Sequence, residues 1–129
     1  MVIHSGGSVA SGYPMHELSL ATGILDLVQE AARRDGFRSV GQLRLEVGAL
    51  ACIEVAALRF ALEAICRGTC LEHAQIRIDT PAGTAWCNGC AQEVAITGFQ
   101  DLCPACDGPL VRHSGGAQLR VLDLLVLDD

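Results

Sequence analysis

The chain has 129 residues, half of them hydrophobic, and a net charge of −6. That is enough apolar material for one domain, or one domain with a small insert, and no basic excess to hold nucleic acid. No apolar run approaches the roughly 20 residues that cross a bilayer; the longest, Val121 to Leu127, is interrupted by Asp123. Aromatics are scarce, so the core is predicted to be aliphatic. With no secretory signal and free cysteines at 52, 66 and 70, the expected compartment is the cytoplasm, and those three thiols are expected to pack as small hydrophobes.

Residues 1–14 lack periodicity, are rich in Gly and Ser, and read as a flexible leader. From Glu17 to about Asp35, Leu20, Ile24, Leu27, Val28 and Ala31 recur at helical spacing, and Gly36 stands where a helix end favours a left-handed residue. Leu43, Leu45 and Val47 alternate with Arg44 and Glu46 in a half-buried strand over 42–48. A second helix is predicted from Glu54 to Arg67, with Val55, Leu58, Leu62 and Ile65 as its stripe and Gly68 as its stop. Ile76 and Ile78 flank Arg77 in a second strand. A last strand runs from about Gln118 to Leu127, its later half apolar on both faces as in a central strand.

Between the last two strands lie two Cys-x-x-Cys pairs, Cys87/Cys90 and Cys103/Cys106, separated by twelve residues. Each pair can supply two sulfurs to one ion from a tight turn, and four thiolates complete a tetrahedral zinc site with no position left for water or substrate. Disulfides, a redox Cys-x-x-Cys and a rubredoxin-like iron site are the competing readings; seven cysteines is an odd number for disulfides. Around these pairs Arg112 is the only Arg or Lys between Arg77 and Arg120, which again argues against nucleic acid. The expected fold class is α+β: two helices on a three-stranded mixed sheet, with an inserted zinc-ribbon module. The expected division is a leader at 1–14, an α/β domain at 15–83 and 115–129, and the ribbon at 84–114. Gly-containing junctions on both sides suggest a ribbon that moves relative to the sheet.

Met15-His16-Glu17-Leu18-Ser19 opens the first helix. The first N–H groups of a helix have no intrahelical acceptor, and the helix dipole favours negative charge there. Backbone nitrogens with an adjacent imidazole suit square-planar Ni(II) or Cu(II); a solvated helix start is the bland alternative. Met-His-Glu-Leu-Ser, with Leu-Arg-Leu-Glu-Val-Gly-Ala-Leu at 43–50, Ala-Leu-Arg-Phe-Ala-Leu-Glu at 57–63, Arg-Gly-Thr at 67–69, the cysteine pairs and a Gly-Gly before the closing strand, resembles the HypA/HybF family of hydrogenase nickel-incorporation proteins. The resemblance covers Met15 to about Leu127. It implies a nickel metallochaperone for [NiFe]-hydrogenase maturation, transporting Ni2+ and keeping Zn2+ as a structural ion. It implies a HypB-type GTPase and the hydrogenase large subunit as partners, and in some members urease maturation proteins.

Carried over by residue, the resemblance makes His16 the nickel anchor, joined by the backbone of His16 and Glu17 and, less directly, of Met15. Glu54 matches a position that carries a carboxylate near nickel in some relatives. Cys87, Cys90, Cys103 and Cys106 match the zinc ligands. His73 and His113 have no assignment in the family: His73 reads as a solvated residue ahead of a strand, and for His113, just past the ribbon, an approach to the metal is the lesser reading. One feature departs from the family: its Met-His-Glu normally starts the chain, whereas fourteen residues precede Met15 here. An internal Met15 offers no amine. With Met1 removed, Val2-Ile3-His4 would supply an amine, two amides and an imidazole, the elements of a planar nickel or copper site; an incidental histidine in a leader is the competing reading. No nucleophile–base pair and no phosphate-binding glycine loop are present, so no enzyme activity is expected and GTP hydrolysis falls to a partner. A zinc-ribbon adaptor without metal delivery is the alternative function, and a thiol oxidoreductase a third.

Overall fold

The computed structural model describes residues 2–8 and 17–127. Its elements are β1 (Val2–Ser8), α1 (Glu17–Asp35), β2 (Val40–Val47), α2 (Val55–Ile65), β3 (Gln75–Asp79), β4 (Gly83–Cys87), β5 (Gln92–Ile96), β6 (Leu110–Ser114) and β7 (Leu119–Val126). They make two sheets, one in the order β1-β7-β2-β3 and one in the order β5-β4-β6. The pair β2–β3 is parallel and is joined through α2; the other pairs are antiparallel.

Local chemistry accounts for both helices. Leu20, Ala21, Ile24, Val28 and Ala31 fall on one face of α1 and are buried. Gly36 ends the helix at φ +75, its N–H donating to the Ala32 carbonyl at 2.9 Å; that left-handed conformation is costly for any residue with a Cβ. At the start of α2, Glu54 has an extended backbone and its carboxylate accepts the Ala56 N–H at 3.3 Å, which satisfies one donor that the helix cannot. Leu58, Ala61 and Leu62 then turn inward.

Both helices bury these stripes with Leu43, Leu45, Val47, Ile76, Leu119, Val121, Leu124 and Val126 in a single cluster. The other face of the sheet is polar. There Arg44 Nε donates to both Asp123 carboxylate oxygens at 3.1 and 3.3 Å, and Arg120 Nε to Glu46 at 2.9 Å. Opposite Arg44 and Leu45, β7 carries one extra residue: Arg44 aligns with Asp123 but Leu45 with Val121. This bulge around Leu122 resets the alternation. It explains why Val121 and Leu124 both face the core, a pattern that reads in sequence as a strand apolar on both sides.

One expectation is corrected. The larger sheet has four strands, not three, because the segment read as a flexible leader carries β1, paired to β7 from Val2–Leu125 to Ser8–Arg120 with an irregularity between His4 and Gly7. The unpaired edge of β7 accepts any extended segment able to complete its ladder, and Ile3 adds a partly buried contact with the core. Gly and Ser hide this strand from any reading of hydrophobic alternation. The Val2-Ile3-His4 metal site needs the His4 side chain, which lies outside the described residues.

At the junction between the sheets the Gly-rich connections are hydrogen-bonded to a third segment. The turn after β2 staples both of them: Gly48 N–H donates to the Gln118 carbonyl at 2.8 Å, Ala49 N–H to Pro81 at 2.9 Å, and Leu50 N–H to Gly116 at 2.6 Å. The glycines are there for space. A Cβ on Gly48 would lie 2.0 Å from the Gly116 oxygen, and one on Gly116 would lie 2.5 Å from the Gly83 nitrogen.

Candidate metal centre

The cysteine module is built on β4, β5 and β6. Its inward-facing residues are few: Ala85, Cys87, Ile96, Cys103 and Leu110, with Leu50 contributed by the turn after β2. Cys87 ends β4, and the Cys87–Cys90 turn reverses the chain into β5. Within it Cys90 N–H donates to Cys87 Sγ at 3.3 Å. The second turn is closed by Asp107 N–H to the Cys103 carbonyl at 2.8 Å and Cys103 N–H to the Gly108 carbonyl at 3.0 Å. In both pairs the residue after the second cysteine is left-handed, Ala91 at φ +53 and Asp107 at φ +63. Each turn thereby points its two sulfurs the same way.

The four sulfurs of Cys87, Cys90, Cys103 and Cys106 all lie within 4.8 Å of one another. Cys87 and Cys106 Sγ are 3.5 Å apart, and Cys90 and Cys103 Sγ 3.9 Å. A tetrahedron of thiolates at about 2.3 Å from a central ion has edges of about 3.8 Å, so this donor set fits such an ion. All seven cysteines are free thiols, and no disulfide competes for these four. Crowding splits their acidities. Backbone N–H groups of Cys106 and Ala105 hold the Cys103 thiol down to about 7, whereas the neighbouring sulfurs of Cys106, Cys87 and Cys103 push Cys90 up to about 12. Four thiolates therefore need a cation among them, and binding one releases protons.

The remaining candidate residues are placed as follows. Met15 and His16 lie outside the described residues. Glu17 is the first residue of α1, and Glu54 is the exposed N-cap of α2. The helix α1 is about 28 Å long at 1.5 Å per residue, and β2 about 26 Å at 3.3 Å per residue; only residues 36–39 connect them. Both α1 and α2 pack their buried faces into the same core. His113 packs its ring against Phe99 in a tilted pair, centroids 5.6 Å apart, and is not part of the four-sulfur group. His73 is exposed, as expected for a solvated residue. Cys66 is buried in the core, where desolvation and then Cys70 push its thiol up, and Cys70 packs against the same core. Cys52 departs from the expectation. It is exposed, at φ +57, with Sγ 3.7 Å from the Leu50 carbonyl. Nothing in its sequence context distinguishes it from the other two.

A helix-backed mixed sheet carrying a four-thiolate module defines a small metal-binding α+β protein. Residues 15–126 match the family described as "HypA: Hydrogenase/urease nickel incorporation, metallochaperone, hypA". The chain belongs to that family. It is 50% identical over 115 residues to the hydrogenase maturation factor HypA of Polaromonas naphthalenivorans, covering 89% of this chain and all of the relative. It is 54% identical over 114 residues to the HypA of Cupriavidus necator, covering 88% of this chain and 96% of the relative. The solution structure of the Ni metallochaperone HypA from Helicobacter pylori shares the fold, with a TM-score of 0.61 over 89% of this chain and 100% of that one at 19% identity. The family span begins at Met15, so β1 lies outside it. Among the described residues no helix is long and apolar enough to cross a membrane.

Proposed function

We propose that this chain binds Ni(II) at the start of α1 and delivers it during [NiFe]-hydrogenase maturation, while Cys87, Cys90, Cys103 and Cys106 hold a structural Zn2+. The observation that carries the nickel reading is that the family span opens on Met15-His16-Glu17, immediately where α1 begins. There the free N–H groups and positive end of a 19-residue helix favour amidate nitrogens. His16 supplies the imidazole, and the backbone nitrogens of His16 and Glu17 complete adjacent positions. The Met15 backbone contributes through its amide. Glu54, the N-cap of α2, is a further carboxylate contributor in this reading. Zinc follows from the four-sulfur donor set and its tetrahedral edges, which leave no open coordination position. In this reading residues 15–83 and 115–129 form the nickel-binding unit and 84–114 the zinc unit. A HypB-type GTPase supplies the nucleotide hydrolysis this chain lacks, the hydrogenase large subunit receives the metal in the cytoplasm, and urease maturation proteins are a second outlet. The protein itself is a carrier and not an enzyme.

Equilibrium dialysis of nickel against the zinc-loaded protein tests this. His16→Ala is expected to weaken nickel binding by about 100-fold or more, because even the outer partners of metal ligands are worth about 10–100-fold. Zinc content should stay unchanged. Glu17→Gln should have a far smaller effect, since the residue contributes its backbone. Unaltered nickel affinity in His16→Ala would refute the nickel site and favour the adaptor reading.

A further inference from the structure

The turn after β2 belongs to two cores at once. Leu50 is 4% exposed and packs with Ala85, Cys87, Ile96, Cys103 and Leu110, a cluster that includes two of the four sulfur-bearing residues. Its neighbours along the chain, Val47 on one side and Ala51 and Ile53 on the other, pack into the helix–sheet core. Leu50 is thus the one side chain of residues 47–53 that reaches into the cysteine module. The backbone around it is fixed from both sides by the bonds to Pro81, Gly116 and Gln118, and by Ala51 N–H to the Gly48 carbonyl at 2.9 Å. Immediately downstream, Cys52 is held at φ +57, a conformation that a residue with a Cβ keeps only when its surroundings impose it. Glu54, two residues further, caps α2.

We propose that Leu50 is a positioning residue that couples the metal-bound cysteine module to the start of α2. Metal at the four cysteines orders the small cluster around Cys87 and Cys103. That cluster holds Leu50, and Leu50 holds the left-handed Cys52 and the capping geometry of Glu54. Loss of the metal disperses a cluster that has little apolar area of its own, and the turn then loses its anchor. The inference rests on the reading that the cysteine site holds zinc; it does not depend on the nickel site.

The test is amide hydrogen exchange of the full chain, zinc-loaded and after chelation, with zinc measured in every sample. In the unsubstituted protein, zinc removal should speed exchange at Leu50, Ala51 and Leu58 by about tenfold or more, the scale on which a lost local structure shows in exchange. In zinc-loaded Leu50→Ala these amides should already exchange fast and should respond little to chelation. Leu50→Met, which conserves volume, should restore the zinc response. Protein that holds zinc but shows no change at these amides on chelation overturns the coupling, whatever the variants do. A zinc response in folded Leu50→Ala equal to that of the unsubstituted protein overturns the role of Leu50. Protein that binds no zinc at all overturns the zinc reading instead, a result the metal analysis separates from the other two.

Discussion

Replacing Cys103 by serine should reduce bound zinc from about one ion per chain to about none and unfold β4, β5 and β6 together. A hydroxyl is a poor substitute for a thiolate, and Cys103 is the most deeply placed ligand, buried and cradled by the N–H groups of Ala105 and Cys106. The module offers little else to hold it. Its buried cluster has six members, two of them ligands and one borrowed from the turn after β2. Small modules of this kind draw about 10–16 kcal/mol from their metal, more than the three large apolar side chains Leu50, Ile96 and Leu110 contribute at about 1.5–3 kcal/mol each. The helix–sheet unit has its own larger core, so α1 should keep its helical signal and exchange protection. Metal analysis with exchange measured across residues 83–114 checks this. One zinc retained in Cys103→Ser, with β4 still protected, would contradict it.

Gly48→Ala should lower the melting temperature by about 10 °C, corresponding to about 3 kcal/mol at the upper range for overpacking. The added methyl would sit 2.0 Å from the Gly116 oxygen and 2.8 Å from the Ala117 nitrogen. Both are backbone atoms in a crossing of three chain segments, so no rotamer change relieves the contact. Gly36→Ala is the control: its Cβ meets nothing within 4 Å, and only φ +75 opposes it. That costs about 1 kcal/mol, a drop of a few degrees. Thermal unfolding of the two zinc-loaded variants distinguishes close packing from backbone freedom. Equal shifts in both would show that the junction is looser than its bonds to Pro81, Gly116 and Gln118 imply.

What could be read from the chain followed from how each element meets the core. The helix α1 was legible from end to end because Leu20, Ile24, Val28 and Ala31 form a stripe with a glycine stop. The alternating faces of β2 and β3 stood out for the same reason. Strand β4 did not, since its buried positions are Gly83, Ala85 and Cys87; small residues leave no hydrophobic rhythm. Strand β1 was hidden because it completes an edge through its backbone, which the identities Ser5-Gly6-Gly7-Ser8 do not announce. The four metal-binding cysteines were legible from spacing alone, since two short loops carrying two sulfurs each suit one ion. Leu50 was not, because in sequence it is one apolar residue in a loop, and its partners Cys87 and Cys103 are far along the chain. The Gly-Gly at 115–116 has a second use that the chain does not announce: the residues that allow a hinge also allow three backbones to touch.

The central claim is that two metals occupy chemically different sites in one chain, and X-ray absorption at both metal edges of the zinc- and nickel-loaded protein tests it most directly. The account predicts zinc with four sulfurs at about 2.3 Å, and nickel in a planar nitrogen and oxygen shell that includes imidazole and contains no sulfur. Nickel surrounded by sulfur, with zinc displaced from Cys87, Cys90, Cys103 and Cys106, would contradict it.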